Sequence, residues 1–340
     1  MSGRSSSTAS DASPGIADPA VAAAAVPLAR TVRLPWHRMP EEVRTAVADR
    51  LGSPVIAAED QSGGFSRGVA ARLRCADGSR AFVKAVTREG DPVTLALAEQ
   101  EAVVATALTP GLGLPAPAFH GRVDHGPWTV LVFDDVVGRI PAVPWRKDDL
   151  ALTLAALTTL TERATPNPIT GLPAWGGTLA QWQGWNRLLD DSDPLADVPE
   201  WARRNARRLA AAEAEFPAAV AGDTLLHSDL RSDNILIDGG RVTFVDWAWA
   251  AQGQDWLDPM TFALCAAVQG HPDPQAVFLA HPAGRAADPA AVDTALAAPA
   301  GRVVVAARQP ASWDTEPIRA FQRAEAATVI RWLRTRTRWR

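Results

Sequence analysis

The chain has 340 residues, enough for two domains of roughly 150 residues each, and its 47% hydrophobic and 21% charged residues exclude a wholly disordered protein. Its formal net charge of −4 provides no positive field, so neither a nucleic acid nor a membrane surface is an expected partner. Of the 34 Lys and Arg residues only Lys84 and Lys147 are lysine, and a lysine kept among arginines can mark a position that needs a compact point charge.

Residues 1–32 are rich in Ser, Ala and Pro and show no hydrophobic periodicity. This composition predicts a disordered tail, and it is unlike a secretory signal because acidic residues precede only a weak alanine run. No stretch of the sequence approaches the ~20 apolar residues of a membrane span. Cys75 and Cys265 are far apart and lack metal-site spacing, which fits two core thiols in a reducing compartment. We therefore expect a cytoplasmic protein.

A short-period pattern between residues 33 and 137 predicts a small β-rich lobe. Asp77 and Gly78 lie between two β-favouring runs, which is a hairpin signal. Asp91 and Pro92 fit the N-cap and first position of a helix. The predicted order is one leading strand followed by ββαββ.

From residue 138 to residue 340 the pattern is mainly helical. The pattern predicts a larger lobe, interrupted by a strand–loop–strand segment over residues 223–247, with helices over residues 149–163, 179–190, 199–214 and 316–338. The chain is therefore expected to be an α+β protein, with a small β-rich lobe at 33–137 and a larger helical lobe at 138–340. A cleft between two such lobes is a common place for a ligand.

The run HSDLRSDN carries the strongest chemical signal. Asp229 is followed five positions later by Asn234 and, after a hairpin, by Asp246, which is the order of a kinase catalytic loop and its metal-binding aspartate. Phosphoryl transfer needs a carboxylate that orients the attacking hydroxyl, and it needs oxygen ligands for Mg²⁺. Asp and Asn residues also cap turns, but the ordered combination favours the chemical interpretation.

The runs HSDLRSDNIL and VTFVDW resemble the aminoglycoside phosphotransferase family, the protein-kinase-like small-molecule kinases, and the resemblance covers residue 53 to the C-terminus. It implies a protein-kinase-like two-lobed fold, ATP as the donor, Mg²⁺, and a hydroxyl acceptor. It also implies roles for four residues: Asp229 as the catalytic base, Arg231 beside the transferred phosphate, and Asn234 and Asp246 as metal ligands.

Lys84 lies mid-strand in AFVKAV and is similar to the kinase lysine that binds the α- and β-phosphates. A solvated strand lysine is the competing interpretation. Glu101 matches the family's helical partner of that lysine, and Glu99 is the alternative. Asp258 matches a family aspartate that anchors the catalytic loop.

The run Gly63–Gly68 occupies the place of the phosphate-covering loop, where Gly64 and Ser66 are the candidate contacts. It reads GGxxxG and departs from the kinase GxGxxG, so an ordinary hairpin turn competes with this interpretation. By resemblance, the last strand and hinge, with Phe133 and Asp135, are expected to bind adenine through the backbone.

Two features favour a small acceptor. Asp246 and Asp258 are only twelve positions apart, which leaves no room for the long activation segment of protein kinases. Ser228 stands where regulated protein kinases carry an arginine. The expected activity is phosphorylation of a hydroxyl on a small molecule, of the aminoglycoside type or another hydroxylated metabolite.

An alternative function follows from the altered glycine run. The chain could be a pseudokinase or a regulatory module that binds nucleotide with little turnover. A metal site built on His227 and Asp229 is a further alternative. It is not favoured, because no other His or Cys lies at the spacing that such a site requires.

Overall fold

A computed structural model describes residues 33–62, 68–177, 179–190, 195, 197–310 and 316–339. The predicted tail at residues 1–32 lies outside these described residues. So does the greater part of the glycine run, including Gly64 and Ser66.

The N-terminal lobe is a five-stranded antiparallel sheet with one helix before it in sequence and a second helix between its third and fourth strands. Its elements are a 3₁₀ turn Trp36–Arg38, α1 Glu41–Leu51, β1 Val55–Asp60, β2 Val69–Cys75, β3 Arg80–Thr87, α2 Pro92–Ala107, β4 Phe119–His125 and β5 Trp128–Asp134. The strand order is β1-β2-β3-β5-β4, and every neighbouring pair is antiparallel. This is the predicted order of strands and helix, preceded by a helix that the sequence pattern does not predict.

Local sequence signals explain the hairpin and α2. Asp77 accepts a hydrogen bond from the Ser79 backbone N–H at 2.9 Å inside the turn between β2 and β3. The Asp91 carboxylate accepts one from the Thr94 backbone N–H at 2.9 Å, which satisfies a donor at the start of α2. Alternation along β3 buries Ala81, Val83 and Ala85.

Helix α1 covers the face of the sheet on which Ala81, Val83 and Ala85 of β3 lie. Val43 and Val47 lie one turn apart on it and pack with Trp36, Met39 and the buried residues of β2, β3 and β5. Burial of this apolar stripe is the main source of stability for so short a helix.

The second lobe is mainly helical. It contains α3 Lys147–Arg163, a 3₁₀ turn Leu179–Gln181, α4 Gly184–Asp190, α5 Glu200–Val220, β6 Thr224–Leu226, β7 Ile235–Asp238, β8 Arg241–Phe244, β9 Ala251–Gly253, α6 Leu257–Val268, α7 Pro274–Ala280, α8 Pro282–Ala286, α9 Pro289–Ala307 and α10 Glu316–Thr337. Strands β7 and β8 form a hairpin, and β6 pairs with β9. The two short sheets hold the segment that carries HSDLRSDN.

Two helix predictions need correction. The single helix expected over residues 179–190 is a 3₁₀ turn followed by α4, because the chain at Gly184 crosses α9 so closely that an added Cβ would lie 2.1 Å from the Gly301 carbonyl carbon. Helix α5 does not stop near residue 214. It continues through Pro217 to Val220, since Phe216 and Val220 extend its buried face.

Helix α9 is long and apolar enough to cross a membrane by length and composition, with a mean hydropathy of 1.4 over 18 residues. The hydrophobic pattern of the sequence does not predict such a stretch. The helix packs against α5 and α10, and most of its apolar side chains are buried in the core of the helical lobe. Its composition is that of a core helix.

Candidate active site

A cleft of about 340 Å³ lies between the two lobes, within the size range of small-molecule sites. Strands β2 and β3, helix α2 and the chain after β5 line it from the first lobe. The 3₁₀ turn Ser232–Asn234, strand β7 and the residues after β8 line it from the second. The run AFVKAV, through Lys84, and the run HSDLRSDN, through Asn234, therefore both reach the same cleft.

Lys84 lies on the cleft face of β3, opposite the buried Val83 and Ala85. Its Nζ donates to Glu101 Oε1 at 2.8 Å, Glu101 Oε2 at 3.0 Å and Asp246 Oδ1 at 2.7 Å. The lysine therefore joins α2 to the second lobe.

The structure distinguishes between the two glutamates considered for this ion pair. Glu101 is buried at 3% exposure, whereas the Glu99 side chain is half exposed and lies 3.9 Å from Arg122 Nη2. Burial raises the pKa of Glu101, and the Lys84 ammonium opposes this. For Lys84 itself burial lowers the pKa, but the Asp246 and Glu101 carboxylates outweigh burial and raise it.

Asp246 follows β8 with a φ of +69°, the left-handed region that non-glycine residues seldom adopt. Ser228, next to Asp229, has a φ of +68°. Strained backbone conformations of this kind cluster at active sites and ligand-binding segments. Burial raises the pKa of Asp246, but the Lys84 ammonium outweighs burial and lowers it, so this carboxylate stays charged.

Asp229, Arg231 and Asn234 form a connected cluster in the loop after β6. Arg231 Nη1 donates to Asp229 Oδ1 at 2.9 Å and Oδ2 at 3.1 Å. Asn234 Nδ2 donates to the Asp229 carbonyl at 2.8 Å and to Asp229 Oδ2 at 3.0 Å. Asp233 accepts from the other side of the Arg231 guanidinium at 3.0 Å and 3.1 Å.

The environment of Asp229 is chemically unusual. Burial raises the pKa of this carboxyl to about 7, against the lowering effect of Arg231 and with a further raising contribution from Asp246. A carboxylate poised near neutral pH is suited to accept a proton from a hydroxyl.

Two buried groups hold the loop in shape. Asp258, in the first turn of α6, accepts from the backbone N–H of His227 at 2.7 Å and of Ser228 at 2.8 Å, which is the anchoring contact the resemblance implies. His227 Nε2 donates a hydrogen bond to the Val245 carbonyl at 2.9 Å. Burial lowers the pKa of His227 to about 4, so the imidazole is neutral. The buried imidazole of His227 therefore supports the loop structurally and is not placed to bind a metal ion.

Sequence reasoning missed a third support of the loop. Gln269, fully buried at the end of α6, donates through Nε2 to Ser232 Oγ at 2.6 Å and accepts at Oε1 from Trp145 Nε1 at 2.9 Å. Trp145 belongs to the segment that connects the lobes. The contact joins residues far apart in sequence, and no motif signals it.

The end of β5 and the hinge after it also line the cleft, and Phe133 is buried in β5. The Asp135 carboxylate is held by Arg72 Nη1 at 2.7 Å and Arg80 Nε at 2.7 Å. The side chain of Asp135 is therefore committed to the sheet, and only its backbone remains for a ligand.

The chain was compared with protein families and with solved structures. The model of the phosphotransferase enzyme family matches residues 63–293. A comparison with curated protein sequences found no match.

Three solved structures illustrate the fold. A spectinomycin phosphotransferase in complex with ADP and spectinomycin has a TM-score of 0.59 at 11% identity and covers 88% of this chain and 98% of its own. LicA in complex with AMP has a TM-score of 0.56 at 14% identity, covering 88% and 99%. A macrolide 2′-phosphotransferase from Brachybacterium faecium has a TM-score of 0.52 at 19% identity, covering 85% and 98%.

The family model spans more than half of the chain and includes both Lys84 and the loop with Asp229. The solved structures share the arrangement of a β-rich lobe and a mainly helical lobe. The chain thus belongs to the phosphotransferase enzyme family, and its fold is the kinase-like two-lobed fold of small-molecule phosphotransferases.

Proposed function

We propose that this protein transfers the γ-phosphate of ATP to a hydroxyl of a small molecule, with Mg²⁺ in the nucleotide site. One observation carries the proposal: the chain brings Lys84, Asn234 and Asp246 into one cleft and holds Asp229 against Asn234. Lys84 lies 2.7 Å from Asp246, and Asn234 lies 3.0 Å from Asp229. These residues come from both lobes and from positions up to 162 residues apart.

The cleft has the polarity that a nucleotide needs. One part is lined by apolar side chains from both lobes, namely Ala70, Phe82, Ala105, Leu108, Phe133 and Leu236. This part suits the faces of an adenine ring, and the hinge residues Asp135 and Val136 line the same cleft. The same cleft contains Lys84 and Asp246, beside which the phosphates would lie.

The donor atoms fit Mg²⁺. Asn234 uses its Nδ2 for Asp229, and Asp246 uses its Oδ1 for Lys84. Asn234 Oδ1 and Asp246 Oδ2 accept no hydrogen bond from the part of the chain that the structure describes. Mg²⁺ takes one or two protein oxygens and completes its shell with water and phosphate. When bound, the ion would neutralise charge on the β- and γ-phosphates.

Asp229 would accept the proton of the attacking hydroxyl and direct its oxygen toward the γ-phosphate. Arg231 holds that carboxylate from one side and is positioned to balance charge on the transferred group. Lys84, fixed by Glu101, would position the phosphates. In all of these steps the protein contributes mainly orientation and electrostatic stabilisation.

The acceptor is proposed to be a small hydroxylated compound. Between Asp246 and the start of α6 the chain forms only a 3₁₀ turn and β9, so no long segment is available to dock a peptide. The neighbouring structures include proteins named for spectinomycin and for macrolides, and one is described as a putative fructosamine-3-kinase. This range supports the chemical class of the acceptor and does not single out one member.

The test is a panel that measures ADP release with Mg²⁺ and ATP across aminoglycosides, macrolides, amino alcohols, sugars and nucleosides. Asp229→Asn and Asp246→Asn should each reduce turnover by roughly 10² to 10⁴, the usual contribution of a positioned proton acceptor or charge. The matched control is Asp238→Asn, because Asp238 is exposed on the nearby hairpin and should leave turnover unchanged.

The same experiment separates the alternative function. A nucleotide-binding pseudokinase would bind ATP, which a rise in Tm would show, yet it would release no ADP with any acceptor. Turnover that persists in Asp229→Asn would contradict the assignment of the base, and absence of ATP binding would contradict the nucleotide site.

A further inference from the structure

We propose that Gln269 is a positioning residue of the metal site, because its side chain holds the turn that carries Asn234. This inference rests on the proposed function, in which Asn234 is a ligand of Mg²⁺. Gln269 is the C-cap residue of α6, is fully buried and does not line the cleft. Its effect on the site therefore passes through another residue.

The first observation is how the amide of Gln269 is held. Its Oε1 accepts from the Trp145 indole Nε1 at 2.9 Å, and its Nε2 donates to Ser232 Oγ at 2.6 Å. An indole can only donate, so Trp145 requires the carbonyl end of the amide and thereby directs the amino end at Ser232. The two partners together determine the orientation of this buried amide.

The second observation is the place of Ser232 in the loop. Ser232 is fully buried and is the first residue of the 3₁₀ turn Ser232–Asn234. The Ile235 backbone N–H donates to the Ser232 carbonyl and closes this turn. The Asn234 carbonyl accepts from the backbone N–H of Val245, the residue before Asp246, at 2.9 Å. The Ser232 side chain therefore anchors a turn that brings the two predicted metal ligands together.

The third observation is that the other polar side chains of the turn bond within the loop. Asn234 Nδ2 donates to Asp229 Oδ2 at 3.0 Å, and Asp233 accepts from Arg231 Nε at 3.0 Å. Such bonds fix the shape of the loop but not its place on the rest of the lobe. Among the described side chains, that of Gln269 ties the turn to the end of α6 by a hydrogen bond.

Trp145 gives the amide a fixed reference. Its ring lies edge-on to the fully buried Phe262 of α6, with ring centroids 5.2 Å apart and ring planes at 89°. A close-packed ring of this size has little room to move. Gln269 therefore cannot turn to follow Ser232, and the loop takes the position that the amide sets.

The position of Asn234 matters because of what Mg²⁺ demands. The ion requires oxygen ligands at about 2.1 Å in nearly octahedral directions, so a small shift of the turn displaces Asn234 Oδ1 from a useful position. Loss of a residue that orients a metal ligand typically costs about tenfold or more in metal affinity. Gln269 should therefore affect nucleotide binding that depends on the metal, and not nucleotide binding without it.

The experiment measures the Kd for AMP-PNP, an ATP analogue that resists hydrolysis, by calorimetry on the full chain in excess Mg²⁺ and in EDTA. Gln269→Met keeps a similar volume and removes both polar ends. It should raise the Kd in Mg²⁺ about tenfold and leave the Kd in EDTA unchanged. Ser232→Ala should do the same. The double variant should bind no more weakly than either single variant, since both substitutions remove one bond.

Gln252→Met is the matched control. Gln252 on β9 also uses both ends of its amide, since Oε1 accepts from Asn167 Nδ2 at 2.9 Å and Nε2 donates to the Gly222 carbonyl at 3.1 Å. The substitution removes as many hydrogen bonds as Gln269→Met, but none of them reaches the turn. It should lower Tm and leave both Kd values unchanged, which separates lost stability from lost metal binding.

Three results would overturn the inference. They are an unchanged Kd in Mg²⁺, an equal rise in Mg²⁺ and in EDTA, and losses from Gln269→Met and Ser232→Ala that add in the double variant. If Gln269→Met does not fold, Ser232→Ala decides between the first two outcomes alone. An unaltered protein that does not bind AMP-PNP, or binds it equally with and without Mg²⁺, would instead contradict the proposed function.

Discussion

The surroundings of Asp229 determine both the pKa and the orientation of its carboxyl group. It lies beside a cation that favours its charged form, yet burial dominates and raises its pKa to about 7. Arg231 also holds both carboxylate oxygens. The group is therefore oriented by one neighbour and kept basic by its environment, which is the combination that proton acceptance from a hydroxyl requires.

A pH dependence follows from this raised pKa. Below pH 7 Asp229 is protonated and cannot accept a proton, so kcat/KM should rise with pH and level off above an apparent pKa near 7. The measurement is kcat/KM from pH 5.5 to 8.5, with the acceptor that the panel identifies. A profile that is flat over this range would contradict the assignment.

Substitution of Asp233 should shift the pH profile of kcat/KM in a defined direction. The negative charge of Asp233 raises the pKa of Asp229, and Asp233 also competes for Arg231. Asp233→Asn removes both effects, so the rising limb should move to lower pH. A shift to higher pH would show that another group controls the profile.

At this scale the sequence predicts the residues whose partners lie in a recognisable motif. Lys84 and Glu101 meet in the structure as the resemblance implies. Gln269 and Glu213 were not predicted, because each acts on a residue distant in sequence. Glu213 is a fully buried carboxylate on the apolar face of α5, and it accepts from the backbone N–H of Trp185 at 2.7 Å.

Among the elements, the short ones were hardest to predict. Helix α1 carries start and stop signals, with Pro40 before Glu41 and a left-handed Gly52 after Leu51, but its apolar stripe is narrow and only packing on the sheet makes it stable. The break before α4 was likewise invisible in the hydrophobic pattern, because its cause is a backbone crossing with α9. Long periodic segments such as α3 and α10 were predicted to within a few residues.

The crossing of α4 and α9 can be tested through Gly301. An added Cβ there would lie 2.7 Å from Trp185 N and 2.8 Å from Glu213 Oε1. Trp185 is fully buried and its indole donates to the Ala297 carbonyl at 2.8 Å, so it has little room to move. Gly301→Ala should lower the free energy of unfolding by about 1–3 kcal/mol through overpacking, despite a gain in helix propensity of ~1 kcal/mol.

Urea unfolding followed by circular dichroism measures this effect. Gly240→Ala is the control, since an added Cβ at Gly240 meets nothing within 4 Å. If Gly301→Ala proved as stable as the unaltered protein, the crossing would not be as close as the structure shows.

At the scale of the whole molecule, the candidate site depends on how the two lobes pack against each other, because its residues come from both. Lys84 bonds to Asp246 across the cleft, and Gln100 Nε2 on α2 donates to the Ala250 carbonyl at 2.7 Å. The connecting segment is also fixed to the second lobe, since Arg139 and Ile237 exchange backbone hydrogen bonds of 3.0 Å and 2.8 Å. The sequence predicts two lobes and a cleft, but not these contacts, because they depend on how the lobes meet.

The side chain of Arg139 adds a pH-sensitive contact to this connection. Its guanidinium donates to both oxygens of the buried Asp149 at 2.6 Å and 2.9 Å, which lowers the pKa of Asp149 to about 2. The unfolded value is about 3.9. A lowered pKa stabilises the folded chain at pH values above the unfolded pKa, and this stabilisation declines as pH falls from about 4 toward 2.

Arg139→Leu should therefore reduce the free energy of unfolding at pH 7 and pH 5 alike, and the difference from the unaltered protein should shrink between pH 4 and pH 3. Urea titrations at these pH values provide the measurement. Arg241→Leu is the control, because Arg241 is exposed on β8 and should give a small difference that does not change with pH. A deficit of Arg139→Leu that stayed constant down to pH 3 would show that the arginine acts through packing and not through the charge of Asp149.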